Sequence, residues 1–152
     1  MKKYTRIGAR IDLDAIEYNL EMMRRRLPSD TKMIGVIKMD GYGHGAAQIA
    51  KYVMEEKNYI WGYAAATPDE AALLRKKGIQ KPILVLGCTF PEQRDEMIRQ
   101  EIRMTCYTEE MARDARTAIQ RGYDCLKVKV GIDPELDVAR LAAVREAVGK
   151  DV

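Results

Sequence analysis

Cysteine is scarce in this chain and badly placed for joint work. Cys88, Cys106 and Cys125 are odd in number and form no CxxC pair, which argues against a zinc site, and no metal is expected. The expectation is buried or half-buried free thiols in a reducing cytosol. Histidine is limited to His44, tryptophan to Trp61 and phenylalanine to Phe90. No apolar run approaches the roughly 18 residues of a membrane span. Nor does one follow the opening Met-Lys-Lys-Tyr-Thr-Arg, so no signal peptide and no membrane partner are expected, and the location is read as cytoplasmic. Charge of one sign is missing too. The 26 Lys and Arg nearly balance the 23 Asp and Glu, leaving a net +3. That surplus is too small and too dispersed for a nucleic-acid partner. The one basic run, Arg24-Arg25-Arg26, falls late in a helical pattern, where cations suit the helix dipole.

What the chain does have is a dense stretch at Ile34-Gly-Val-Ile-Lys-Met-Asp-Gly-Tyr-Gly-His-Gly45. An apolar run ends on Lys38. A glycine-rich turn with Asp40, Tyr42 and His44 follows, and a helical pattern begins at Ala46. In α/β proteins the loops after strands form the site. A lysine flanked by apolar strand residues can be desolvated and become a nucleophilic amine, the condition for a Schiff base. The competing reading is a strand-end lysine reaching out to solvent.

The same rhythm runs along the chain. Asp12 or Asp14 can cap a first helix with Ile16, Leu20, Met23 and Leu27 at helical spacing up to Pro28. Residues 33–37 read as a core strand. A helix from Gly45 to Lys57 carries Ala46, Ile49, Ala50 and Val53 on one face. Tyr59 to Ala65 is a second strand. Thr67-Pro68-Asp-Glu70 caps a helix that runs to Gly78. Pro82 to Gly87 is continuously apolar, as a parallel strand buried on both faces should be. A helix from Phe90 to about Gln100, a strand at 102–107, a helix from Thr108 to Gly122 and a strand at 125–130 follow. Asp133 opens the last helix, with Val138, Leu141 and Val144 expected inward. Carboxylates at helix starts, among them Asp69, Glu70, Glu109, Glu110 and Asp133, are explained by capping. Met22, Met23, Met97, Met104 and Met111 read as core filler.

This alternation implies one α/β domain over residues 1–152, a partial (β/α)8 TIM-barrel-like fold of about five parallel βα units. A closed barrel needs about 250 residues. Open parallel edges invite pairing with another chain, so a homo-oligomer is expected.

Val36-Ile-Lys-Met-Asp-Gly-Tyr-Gly-His-Gly45 resembles the lysine motif of alanine racemases, pyridoxal-phosphate enzymes of fold type III. Ile11 to Leu20, the Ala65-to-Ile79 unit and Pro82 to Gly87 are similar to further parts of that family, so the resemblance covers about residues 4–111. It implies that Lys38 carries pyridoxal 5'-phosphate (PLP) as an internal aldimine and returns a proton to one face of the α-carbon of a small amino acid, alanine. It implies that Tyr42 contacts the cofactor phosphate and that His44 is structural. The opposite-face base of that family is a tyrosine in a C-terminal β-domain of the partner subunit. Neither that domain nor the later strands are in this sequence, so turnover by this chain alone is expected to be weak or nil.

From about residue 110 to 152 the resemblance changes. Gly122 to Gly131 and Asp133 to Gly149 look like the enolase superfamily, in its dipeptide-epimerase and muconate-lactonizing branch. In that branch the second lysine of the Lys127-Val-Lys129 signature, Lys129, would be an α-proton base facing a magnesium-bound carboxylate. The magnesium ligands lie on later strands that this sequence does not contain. Lys129 also falls where an alanine racemase would have a strand lysine that orients a PLP-contacting arginine, but Val130-Gly131-Ile132 stands here in place of that family's Asp-Thr-Gly and no such arginine is identifiable. The two resemblances together suggest a chimera of two barrel fragments, with a join near Thr108 to Ala112. Three readings stand at this point: a PLP-dependent racemase fragment, a non-catalytic chimeric or engineered scaffold, and an epimerase-like fragment using Lys129.

Overall fold

The computed structural model describes residues 8–108, 127, 128, 131 and 133–150. Strands and helices alternate from the start. Helix α1 is Leu13–Arg24, β1 is Met33–Val36, and a short turn at Lys38–Tyr42 leads to α2, Ala46–Ile49. A π-helical turn, Ala50–Met54, continues α2 directly. Then come β2 (Ile60–Ala65), α3 (Pro68–Lys76), β3 (Ile83–Val85) and α4 (Pro91–Arg99). Two short strands, β4 (Ile102–Arg103) and β5 (Thr105–Cys106), precede β6 (Lys127–Val128) and α5 (Pro134–Val148).

All described pairings are parallel, in a four-stranded sheet β1-β2-β3-β4 and a two-stranded sheet β5-β6. The α/β, partial-barrel expectation therefore holds. Register separates the two faces of the main sheet, because partners across parallel strands share a face. One row, Gly35–Tyr63–Ile83–Ile102, is buried against the helices. Fully burying each isoleucine contributes about 2 kcal/mol or more. The other row, Val36–Ala64–Leu84–Arg103, lies on the face that would line a barrel. On that side Ile34 is 45% and Val36 53% exposed. Gly62 is required in β2: a Cβ there would lie 2.3 Å from the Pro82 carbonyl oxygen.

Helix starts follow their capping residues. Asp12 caps α1 through Ala15 N, Thr67 caps α3 through Glu70 N, and Asp133 caps α5 through Glu135 N and Leu136 N. Ala46, Ile49, Ala50 and Val53 are all buried, as the helical spacing requires.

Several expectations are corrected. The strand at 102–107 is split at Met104, where the chain leaves β3 and pairs with β6 instead. Cys88 is exposed, because it follows the sheet rather than packing inside it; Cys106 is buried. Met23 is exposed on α1, whereas Met97 is core. In α5 the inward stripe is Asp137, Arg140, Val144 and Val148, while Val138 and Leu141 are exposed. The stripe shifts because Asp137 accepts hydrogen bonds from Gly131 N (2.5 Å) and Arg140 (2.9 Å), which satisfies a carboxylate that hydropathy alone would place outside. The helix expected from Thr108 to Gly122 lies, beyond Thr108, outside the described residues, as do Met111, Cys125 and Lys129.

Polar stitches close the amino ends of the strands. Arg75 donates to the carbonyls of Gln100 (3.0 Å), Ile79 (2.7 Å), Lys81 (2.8 Å) and Glu101 (3.1 Å), tying α3 to the chain before β3 and before β4. Lys57 pairs with Glu17 and Glu21 on α1, and Tyr59 donates to Glu21 at 2.7 Å. Burial first, and that hydrogen bond second, push the Tyr59 phenol up to about 12. Glu55 accepts from Tyr63 Oη (2.7 Å), Gln80 N (2.9 Å) and Lys81 N (3.1 Å). Burial raises the Glu55 carboxyl, but these donors together outweigh it and leave the group below its ordinary value.

A carboxyl lowered by folding stabilises the native state above its unfolded pKa of about 4.3, and loses that contribution as pH falls through the lower folded value. Denaturant unfolding of Glu55→Gln should therefore show a shallower loss of stability below about pH 4 than the parent chain. An acid slope identical in both would sink the assignment.

Candidate active site

The site is built at the carboxyl end of β1. The strand ends at Val36, but Ile37 N still donates to Ala64 O at 3.0 Å, so the backbone is held to β2 up to the residue before Lys38. The chain then reverses hand. Met39, Asp40, Gly41 and Tyr42 have φ of +53°, +53°, +63° and +56°. Gly41 N donates to Ile37 O (2.9 Å), Gly43 N to Met39 O (3.2 Å) and Gly45 N to Asp40 O (2.9 Å). The result is a single left-handed helical turn. Left-handed backbone costs roughly 1–2 kcal/mol for each non-glycine residue, and Met39, Asp40 and Tyr42 all incur it.

Three side chains hold the turn in place. Asp40 Oδ1 accepts from Ala46 N at 2.8 Å and so joins the turn to the first residue of α2. His44 Nδ1 lies 2.9 Å from Gly41 O and 3.2 Å from Tyr42 O. Both neighbours are carbonyls, so Nδ1 is the protonated nitrogen and donates. His44 thus works within the loop's own backbone. Glu70, on α3, accepts from Met39 N through Oε1 (3.1 Å) and from Ala66 N through Oε2 (2.9 Å).

Lys38 is half-buried, and its Nζ sits 5.9 Å from the centroid of the Tyr42 ring. Among the described residues no hydrogen bond or ion pair engages that amine. Tyr42 is exposed at the same turn. An unpaired amine and an adjacent phenol are thus brought together. Lys129, the other candidate lysine, lies outside the described residues, so its distance from Lys38 is not part of this geometry. Among the described residues no cluster of His, Cys, Asp and Glu could hold a metal ion, and no helix is long and apolar enough to cross a membrane.

Sequence reasoning found Lys38, Tyr42 and His44 and missed the work of Glu70. Its spacing from Thr67 was visible as a capping box, in which the third helical residue reaches back to the cap. In the fold Glu70 reaches one residue further, to Ala66, and across 31 residues to Met39. Nothing in the local pattern carries that second partner.

Met39 is 63% exposed and left-handed, so its side chain contributes little packing to set against its backbone strain. Met39→Gly should raise stability by about 0.5–1 kcal/mol, the relief of strain less the extra unfolded-state freedom of glycine. Thermal or urea unfolding measures it; a clear loss of stability would contradict the left-handed assignment.

Comparison with known proteins gives one family. The alanine racemase N-terminal domain matches residues 11–141, continuing past Met111. Alanine racemase 2 of Oceanobacillus iheyensis is 34% identical over 139 residues, covering 91% of this chain and 35% of that protein. Alanine racemase 1 of Clostridium acetobutylicum is 38% identical over 127 residues, covering 84% of this chain and 32% of that protein. Among solved structures, the alanine racemase of Clostridium difficile 630 in complex with cycloserine superposes with a TM-score of 0.76 at 36% identity, covering 90% of this chain and 37% of that one. The chain thus spans about a third of the length of the relatives it matches. With a strand-end lysine, its left-handed turn and a parallel sheet that all fall within the matched residues, the chain belongs to the alanine racemase family, in the region of its N-terminal domain.

Proposed function

We propose that this chain is the cofactor-anchoring part of a PLP-dependent amino-acid racemase of the alanine racemase type, with alanine as its substrate. The observation that carries the reading is the Lys38 amine: it sits at the carboxyl end of β1, without an ion pair among the described residues, 5.9 Å from the Tyr42 ring. The donor chemistry suits the cofactor. A primary amine is the group that binds an aldehyde, and a phenol is a hydrogen-bond donor to phosphate. PLP, when bound, supplies an electron sink that makes the substrate α-proton removable.

The chain's own residues do the rest. Lys38 Nζ is the covalent anchor, and it is also the group that holds or returns a proton on one face of the α-carbon. Tyr42 orients the phosphate end. Asp40 and His44 keep the turn in shape and take no part in proton transfer. Racemisation needs a second acid–base group on the opposite face, and Lys38 supplies one face alone. Turnover by the isolated chain is therefore expected to be weak or absent.

The exposed Ile34 and Val36 favour a second reading, a non-catalytic scaffold that self-associates through its open sheet. The enolase-like reading of residues 110–152, the chimera and a base role for Lys129 gain no support from a family match that continues to residue 141.

Titration of the purified chain with PLP should produce the visible absorbance band of a lysine-bound pyridoxal, lost in Lys38→Ala. A band that persists in the variant would sink the anchor assignment. No band in the parent chain, with a self-associated species on size-exclusion chromatography, would favour the scaffold.

A further inference from the structure

We infer that Glu70 is a positioning residue for Lys38: its carboxylate fixes the backbone immediately after the lysine and so sets where the amine points. The inference rests on Lys38 being the cofactor anchor. Glu70 is the described side chain that joins the left-handed turn to α3. Oε1 accepts from Met39 N, the amide directly following Lys38, and Oε2 accepts from Ala66 N, the residue after β2. One carboxylate thereby links the exits of two neighbouring strands. Both bonds are charge-assisted, which makes them stronger than neutral ones.

The surroundings make this link matter. A cavity of about 230 Å³ lies behind the turn, lined by Ile37, Asp40, Ala46, Glu70, Leu74 and Lys77 among others. Close packing does not press the turn against α3 there, so hydrogen bonding sets the spacing. Glu70 is itself held by α3: its amide donates to Thr67 Oγ1 at 3.3 Å, and Pro68 and Ala71 beside it are buried. A rigid helix end therefore grips a strained turn through one carboxylate. Without it, no hydrogen bond from α3 among the described residues holds Met39 at its positive φ, and Lys38 would lose its fixed direction.

The test uses the whole chain with PLP as the probe, in Glu70→Ala, Glu70→Gln and Thr67→Ala, alongside the parent. Amide hydrogen exchange without cofactor reads the grip. In Glu70→Ala the Met39 and Ala66 amides should exchange about tenfold faster or more, the size expected for losing a charge-assisted hydrogen bond. The lysine–pyridoxal band should form with about tenfold weaker apparent affinity. Glu70→Gln, which keeps a carbonyl acceptor for one of the two amides, should fall between; it also carries the test if Glu70→Ala fails to fold. Thr67→Ala loosens the helix cap without touching Met39 and should leave the band near that of the parent.

Unchanged Met39 exchange in Glu70→Ala overturns the inference. So does a Thr67→Ala variant that weakens the band as much as Glu70→Ala does, since the effect would then be helix stability and not positioning. Failure of the parent chain to form any band removes the anchor reading itself, and is distinguished because the exchange measurement needs no cofactor.

Discussion

Positive φ at five successive residues after Lys38, Met39 to Gly43, is the constraint on which the site depends. A strand cannot run on past its end and also present a lysine beside a tyrosine four residues later. Reversing the helical hand does both within one turn. Because Met39, Asp40 and Tyr42 carry side chains, the conformation is held against its own preference. Residues kept in such regions persist where the surroundings over-determine them. Here the surroundings are Asp40 on Ala46 N, His44 on two carbonyls and Glu70 on Met39 N. Each is a polar contact to backbone, the kind of restraint that can fix a dihedral without filling a core.

The opposite ends of the strands are organised for stability. Arg75 binds four carbonyls around the starts of β3 and β4, and Glu55 joins Tyr63 to the amides before β3. Between these stitches and the turn lies the buried row of Gly35, Tyr63, Ile83 and Ile102. Stability at the amino ends and chemistry at the carboxyl ends is the division of labour of βα barrels. It lets the strained turn sit on a frame that does not share its strain.

The parts of the fold legible in the sequence were those with one dominant local cause. The apolar run ending at Lys38, the caps at Asp12, Thr67 and Asp133, and the glycine after α3 each announce an element from neighbouring residues alone. What stayed hidden needed a partner far along the chain or a backbone choice that the residue types do not advertise. Met39 and Tyr42 do not look like left-handed residues. Glu70 looked like a cap and turned out to reach a second strand. In α5, hydropathy favoured Val138 and Leu141, but a satisfied Asp137 took the inward place. The break at Met104 likewise reflects a change of strand partner, which no run of six residues can signal.

Anchoring a cofactor and turning over a substrate separate naturally in this architecture. The described contacts that shape the Lys38 turn fall between Ile37 and Glu70, two adjacent βα units. Lys38 can therefore be oriented by local contacts, whatever the rest of a barrel does. Proton exchange at both faces of an α-carbon has a different requirement. It needs a group facing Lys38 across the substrate. Among the described residues no hydrogen bond or ion pair engages the Lys38 amine. In the proposed role, orientation of the lysine is a property of these two units, and racemisation is a property of whatever faces them.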